Sequence, residues 1–476
     1  MCLLEATQSQ FIFYYPFNYR KHHFKKFLRV LKENDYYHFQ VEQQQFHEKF
    51  YGPDVNVSYE LLKQYYYPFI EEKILNDDIS LVNFNRFTKQ FDLEGEMTTV
   101  FENMSFSIPS VDINLCPFGI GILAIRVQLK GICDMTSALS FAHYFRVLHP
   151  KMEEELGAKI RLEQLEYKHT EELVFKTLAP FLESFFVDYS HIDQTIKKMP
   201  YFEDERMYVS ALIHLEEDTN IDDKMLYRAG QLNGRDKDGE PYISSTNEQY
   251  IKKFVEEHCY NRWAPNFYSM TTLQGHIQLT TYPHNQAEKY VSLFHTTSYY
   301  TTLIYYFYKL MLLKLAFEHS ELRFSKDKHI IEDLIEQITK FASRYYFSEV
   351  SVRTGGKEIA HFFRKVFCIE EQYRDIKETL DELYRIQEDR SNDRLNELIF
   401  LLTVFTMISG IYGMNLVIDL LGEPMDWSSI FSFTLFEWIA FILTIVGLVI
   451  SILLVINQLL NYLGNYFVKK KRRKNQ

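Results

Sequence analysis

Six residues near the end of the chain share one side of a helix. Asn392, Asn396, Thr403, Thr406, Gly410 and Gly413 recur at steps of three, four or seven, which a 3.6-residue turn gathers into a stripe. Leu401, Phe405 and Ile408 occupy the opposite side. The stripe offers neutral amides, hydroxyls and bare backbone. In an apolar helix such a stripe has two uses: close packing through small residues, or the lining of a water-filled path. The residues themselves leave both open. Downstream, Asn415–Glu437 contains Asp419, Glu423, Asp426 and Glu437 but no Lys or Arg. Such a segment either concentrates cations by its field or is a solvated loop.

Other candidate chemistry fails on spacing. Thr354-Gly355-Gly356-Lys357 lacks the G-x-x-x-x-G-K-[ST] order of a phosphate loop. Asp236-Lys237-Asp238-Gly239 would put Gly234 and Ser245 at the first and twelfth positions of a calcium loop, where carboxylates are needed. His258-Cys259 and other scattered nucleophiles form no motif. A catalytic role is not expected.

The stripe needs elements to hold it. Leu398–Met414 and Trp438–Ile456 are uncharged, near the minimum of roughly 17 residues for crossing about 30 Å of hydrocarbon. Lys469-Lys470-Lys471-Arg472-Arg473-Lys474 follows the second run. The positive-inside rule then predicts two C-terminal transmembrane helices, a multi-pass protein of the cell membrane, and both termini in the cytoplasm. Before the stripe, Phe362, Val366, Ile369, Tyr373, Ile376, Leu380 and Leu383 alternate steps of four and three, an apolar seam for packing along another helix. No Pro or Gly interrupts Lys357–Ser409. One helix of about 80 Å over 357–409 is the expectation, at about 1.5 Å per residue. Tyr290–Leu322 is also apolar, but Lys309 and Lys314 at roughly 3 kcal/mol each argue for a buried helix instead of a span.

Upstream, Ile12–Tyr15, Gly121–Leu129, Tyr208–Leu215 and His276–Thr281 read as strands, Lys151–Leu173 as helix and Gly234–Tyr242 as loop. The fold class that follows is an α/β cytoplasmic domain with a long stalk helix and two transmembrane helices. Its parts would be residues 1–285, a helical region 286–395, and a pore region 396–476.

Composition agrees. The 476 residues carry a net charge of −12, which argues against a nucleic-acid partner. Charged residues make up 24% of the chain, so any membrane portion must be short. Aromatic residues reach 16%, but without basic interleaving they read as core. Cys2, Cys116, Cys133, Cys259 and Cys368 show no paired spacing and read as reduced thiols. The N-terminus lacks a basic segment followed by an apolar run, so no signal peptide is expected.

The stripe ends in Gly410-Ile411-Tyr412-Gly413-Met414-Asn415. Sequence and position resemble the Y-G-M-N signature of the CorA magnesium transporters, and the acidic segment and basic tail suit it. The resemblance covers roughly the last 110 residues. It implies a homopentamer in which Gly413, Met414 and Asn415, of the Tyr412–Asn415 signature, form the outer pore mouth and Thr406 and Gly410 line the path; Asn396 and Thr403 of the stripe are the further pore-lining candidates. Mg²⁺, with Co²⁺ as a second ion, is then the substrate, and no cofactor is implied. A ring of Asn415 amides would hydrogen-bond to the waters of a hydrated Mg²⁺ without stripping them. Family members close when cytoplasmic Mg²⁺ fills acidic intersubunit sites, for which Glu370, Glu371, Asp375 and Glu378 are candidates. The sequence departs from the family at Val404, where relatives commonly have proline, and in a longer outer loop with Gly422-Glu423-Pro424. Asn392 and Asn396 both remain candidates for the inner polar ring. The alternatives are a Zn²⁺ or Ni²⁺ transporter on the same scaffold and a membrane-anchored sensor or scaffold protein.

Overall fold

The computed structural model describes residues 5–43, 49–51, 59–65, 70–150, 158–163, 165–187, 206–322, 328–347 and 349–413, with scattered positions between 434 and 456. The chain divides into two units, Met1–Glu378 and Thr379–Gln476.

A mixed sheet of twelve strands organises the first unit. The strands are β1 (Glu5–Asn18), β2 (Tyr37–His38), β3 (Asn85–Thr98), β4 (Asn103–Leu115), β5 (Ile120–Leu129), β6 (Cys133–Asp134), β7 (Lys159–Leu162), β8 (Leu165–Tyr167), β9 (Tyr208–Leu215), β10 (Cys259–Trp263), β11 (Phe267–Thr271) and β12 (Gly275–Thr280). Their order is β10-β11-β12-β9-β1-β5-β4-β3-β7-β8, with β2 on β3 and β6 on β1. All pairs are antiparallel except β9 with β12. A parallel pair needs a long crossover. Residues 216–274 provide it through α3 (Asp223–Gln231), α4 (Glu248–His258), β10 and β11. Asp222 and Asn247 cap those helices, Asp222 accepting from the Met225 N–H at 2.8 Å.

The central strands are buried on both faces. That is why β1 and β9 read as nearly unbroken apolar runs. On one face α1 (Phe24–Glu33) and α2 (Met135–Phe145) bury aromatic rings against β1; Phe13 and Phe145 lie 4.6 Å apart between centroids. This face is dry. Gly121 of β5 sits directly across from Phe17, whose ring carbons would lie 2.2 Å from any added Cβ. Glycine is needed there to seat the ring.

The other face of β1 meets α6 (Tyr299–Ser320), which a π turn at Phe294–Ser298 joins to α5 (His284–Leu293). α6 is buried, as its two lysines required of Tyr290–Leu322. Lys314 donates to the Phe118 carbonyl at 2.7 Å, and burial pushes its ammonium down to about 8. α7 (Lys328–Arg344) and α8 (Thr354–Val366) follow, and then α9 (Ile369–Gly413).

Three expectations are corrected. Among the described residues no helix is long and apolar enough to cross a membrane. The described apolar part of α9 runs from Leu398 to Gly413, short of the roughly 17–25 residues a span requires. Neither the two C-terminal transmembrane helices nor the multi-pass placement in the cell membrane is therefore found; the second run, Trp438–Ile456, lies mostly outside the described residues. Lys151–Leu173 is not one helix: 159–162 and 165–167 form a strand hairpin on β3, and only Thr170–Leu173 is α-helical. The continuous helix expected over 357–409 is broken at Phe367–Cys368. There Cys368 adopts a left-handed φ of 50° and the buried Phe367 ring packs on Tyr208 at 5.4 Å.

Candidate functional site

The predicted site residues lie on α9 or beyond it. Past the break at Cys368, Ile369 and Ile376 turn inward, two positions of the seam seven residues apart, and Tyr373 stacks on Tyr346 at 3.8 Å. Phe362 and Val366, the first two seam residues, belong to α8. Glu370, Glu371, Asp375 and Glu378 are exposed on α9. Glu370 forms an ion pair with Arg364 Nη2 at 2.7 Å. Among the described residues no group of three or more His, Cys, Asp or Glu side chains gathers to hold a metal.

From Ser391 onward nearly every described side chain of α9 is exposed. Leu398, Ile399, Phe400, Phe405 and Met407 stand in the open, and Leu402 is 69% exposed. Within this apolar surface the helix brings Asn396, Thr403, Thr406 and Gly410 to one side. Thr403 donates its hydroxyl to the Ile399 carbonyl and Thr406 to the Leu402 carbonyl, each at 2.8 Å. This back-bonding satisfies the donor locally and leaves oxygen lone pairs outward. A Cβ on Gly410 would meet nothing within 4 Å, so no other part of the described chain approaches it. Tyr412 and Gly413 are the last described residues of the helix. Met414, Asn415, Asp419, Glu423 and Asp426 lie outside the described residues. The arrangement presents a row of neutral oxygens on a helix whose apolar sides have no cover within the described chain.

One polar constellation gave no sequence signal. Below α6, Asp112 of β4 lies between Arg86 of β3 and Arg126 of β5: its Oδ2 is 2.7 Å from Arg126 Nη1 and 3.0 Å from Arg86 Nε. Thr88 donates to its Oδ1 at 2.8 Å. Arg86 also donates to Tyr300 Oη at 3.2 Å and lies 3.9 Å from the Phe39 ring centre. Arg126 sits over Tyr51 and Tyr299 at 5.0 and 4.9 Å. Burial alone would raise the Asp112 carboxyl, but the two guanidiniums and the Thr88 hydroxyl outweigh it and hold it below the usual carboxylate range. Nearby His295 donates through Nε2 to Gln10 Oε1 at 3.0 Å. Burial first, then the two arginines, push it well below the ordinary histidine value. With every member buried, the group ties β3, β4 and β5 to α6.

No protein-family model matches this chain, and no curated protein or solved structure matches it either.

Proposed function

We propose that the chain conducts divalent cations, Mg²⁺ first and Co²⁺ second, passively and as a homo-oligomer. Five copies is the number the resemblance at residues 410–415 implies. In this reading the far ends of several α9 helices surround a shared axis. Thr403, Thr406 and Gly410 face the path, Asn415 rings its mouth, and the apolar residues are covered from outside the single chain. The corrected two-span layout is no part of the proposal.

The observation that carries it is the far end of α9, where neutral oxygens share one side of a helix whose Leu, Ile and Phe side chains are exposed. One copy offers no cover for them among its described residues, and a symmetric assembly does. Neutral oxygens suit a hydrated dication, because they bond to its waters without holding it as tightly as carboxylates would. No coupled energy source is needed: a doubly charged ion gains roughly 4.6 kcal/mol per 100 mV on moving toward a negative compartment.

The test is uptake of Mg²⁺, Co²⁺, Ni²⁺ and Zn²⁺ into liposomes reconstituted with the full chain, under an inside-negative potential. Uptake of Mg²⁺ and Co²⁺ that falls at least about tenfold in Asn415→Ala supports the reading; such a loss corresponds to roughly 1.4 kcal/mol at the barrier. Preference for Zn²⁺ or Ni²⁺ would select the other transporter. No uptake of any ion by a folded oligomer would sink conduction and leave a sensor or scaffold role.

A further inference from the structure

A second site lies wholly within the first unit, far in sequence from the α9 end and independent of the cation reading. Tyr65, Tyr260, Trp263, Gln278, Arg353 and the Thr354–Gly356 backbone line a cleft of about 340 Å³. That volume is at the small end of the roughly 300–1,000 Å³ typical of small-molecule sites. It suits one compact ligand.

The lining specifies that ligand's chemistry. Trp263, at the end of β10, is 53% exposed at the cleft, a large flat surface left in water. Arg353 lies 5.4 Å from the Tyr65 ring centre and donates to the Gln64 amide, a neutral partner that leaves its positive charge uncancelled. Arg262 differs, since Glu358 pairs with it at 3.2 Å. α8 starts at Thr354 with no side chain capping it, so the first N–H groups of a 13-residue helix have no side-chain cap, at residues that line the cleft. A Cβ on Gly355 would stand 3.0 Å from the Tyr260 hydroxyl; glycine keeps the backbone open there. Thr354-Gly355-Gly356-Lys357 is thus no phosphate loop by spacing, yet it forms a helix start beside an arginine.

The cleft wall adds an independent signal. Gln278 is 6% exposed, and its Nε2 lies 3.3 Å from both Ser298 Oγ and His276 Nε2. Its Oε1 accepts no hydrogen bond from the described residues. Gln278 lines the cleft, so this oxygen can accept from a ligand N–H or O–H. His276, below it, is pushed down to about 3 by burial, so it is neutral and adds no charge.

We infer that this cleft binds a nucleoside monophosphate. The planar base stacks on Trp263, the phosphate takes the α8 N–H groups with Arg353, and a base amine or ribose hydroxyl donates to Gln278. The phosphate position combines helix-end N–H groups with a guanidinium, the usual means of holding an anion. A plain anion would leave Trp263 and Gln278 unused, and a neutral ring would leave Arg353 unused.

The experiment is a titration of the full chain, in magnesium-free buffer, with AMP, adenosine and inorganic phosphate, read by tryptophan fluorescence and by calorimetry. AMP is expected to bind saturably and quench, with adenosine and phosphate each weaker by about tenfold or more. Arg353→Gln and Trp263→Leu should each weaken AMP about tenfold, as loss of one charged hydrogen bond or one stacking face does. Trp263→Leu should also remove the quench, which tells Trp263 from Trp427 and Trp438. Both side chains are exposed, so melting temperatures should stay at the wild-type value; if one variant fails to fold, the other decides. Three results would overturn the inference: no saturable AMP binding, phosphate binding as tightly as AMP, or wild-type affinity in the folded variants.

Discussion

The sheet face beneath α6 and the far end of α9 break the usual distribution of residues in opposite directions. Beneath α6, Arg86, Asp112 and Arg126 are buried in the middle of a sheet, the least favourable place for charge. On α9, Leu402, Phe405 and their neighbours stand in the open. The first anomaly is met in large part within the chain: Asp112 pairs with both guanidiniums and aromatic faces cover them, while Arg86 Nη2 and Arg126 Nη2 have no hydrogen-bond partner among the described residues. The second has no resolution among the described residues of one copy. A buried charge with partners reports on stability. An exposed apolar helix end reports on cover that the described residues do not supply.

The comparison breaks most severely at Asp112. Asp112→Asn leaves two buried guanidiniums facing each other with no carboxylate between them, and the cost should be about 3–5 kcal/mol. Urea unfolding followed by circular dichroism measures it. A loss below about 1 kcal/mol would mean that the group is far wetter than its burial indicates.

Acid should weaken the same unit through His276 and His295. Both have folded-state values below the ordinary 6.5, His276 at about 3. As pH falls from 6.5 toward 3 the unfolded chain takes up protons that the folded chain refuses, so stability falls over that window and is fully present above it. Asp112 acts in the same direction at lower pH, because its carboxyl is held below the usual range. The expected loss is a few kcal/mol across the window, at 1.36 kcal/mol per pH unit for one proton. His276→Gln should flatten the slope between pH 6.5 and 4. An unchanged slope would place the proton uptake elsewhere.

The two regions also differ in how legible they were. The end of α9 could be read because its pattern is local: one helical period puts Thr403, Thr406 and Gly410 on one side, and the helix obeys it. The strands at Ile12–Tyr15, Gly121–Leu129, Tyr208–Leu215 and His276–Thr281 were legible for a similar reason, since burial on both faces leaves short apolar runs. The charged group was not. Arg86, Asp112 and Arg126 meet only because the registers set Thr88 opposite Asp112 and Asp112 opposite Ala124, and no spacing along the chain encodes a register. Lys151–Leu173 misled because its charges suit a helix, whereas β7 alternates exposed and buried residues with period two. The break at Cys368 was hidden because no Pro or Gly marks it; a non-glycine residue takes the left-handed turn while Phe367 packs inward. The expected spans are not found because hydropathy marks an apolar run, whereas no described helix is both long and apolar enough to cross a membrane.

The smallest expected effect on stability is at α9 itself, and there the smallness is informative. Leu402→Ser with Phe405→Ser replaces two exposed apolar side chains that cover nothing in the described chain. Surface substitutions of this kind fall within about 0.5 kcal/mol, so the unfolding midpoint of the isolated copy should not move. If copies cover these residues, the same double variant removes apolar area from every contact around the ring, and light scattering after size exclusion should show the oligomer falling apart. Asn396→Ala, on the stripe, should leave both midpoint and assembly unchanged. Loss of stability with no change in mass would mean that α9 packs against its own chain. Loss of mass with an unchanged midpoint would show that the open side of α9 is an assembly surface.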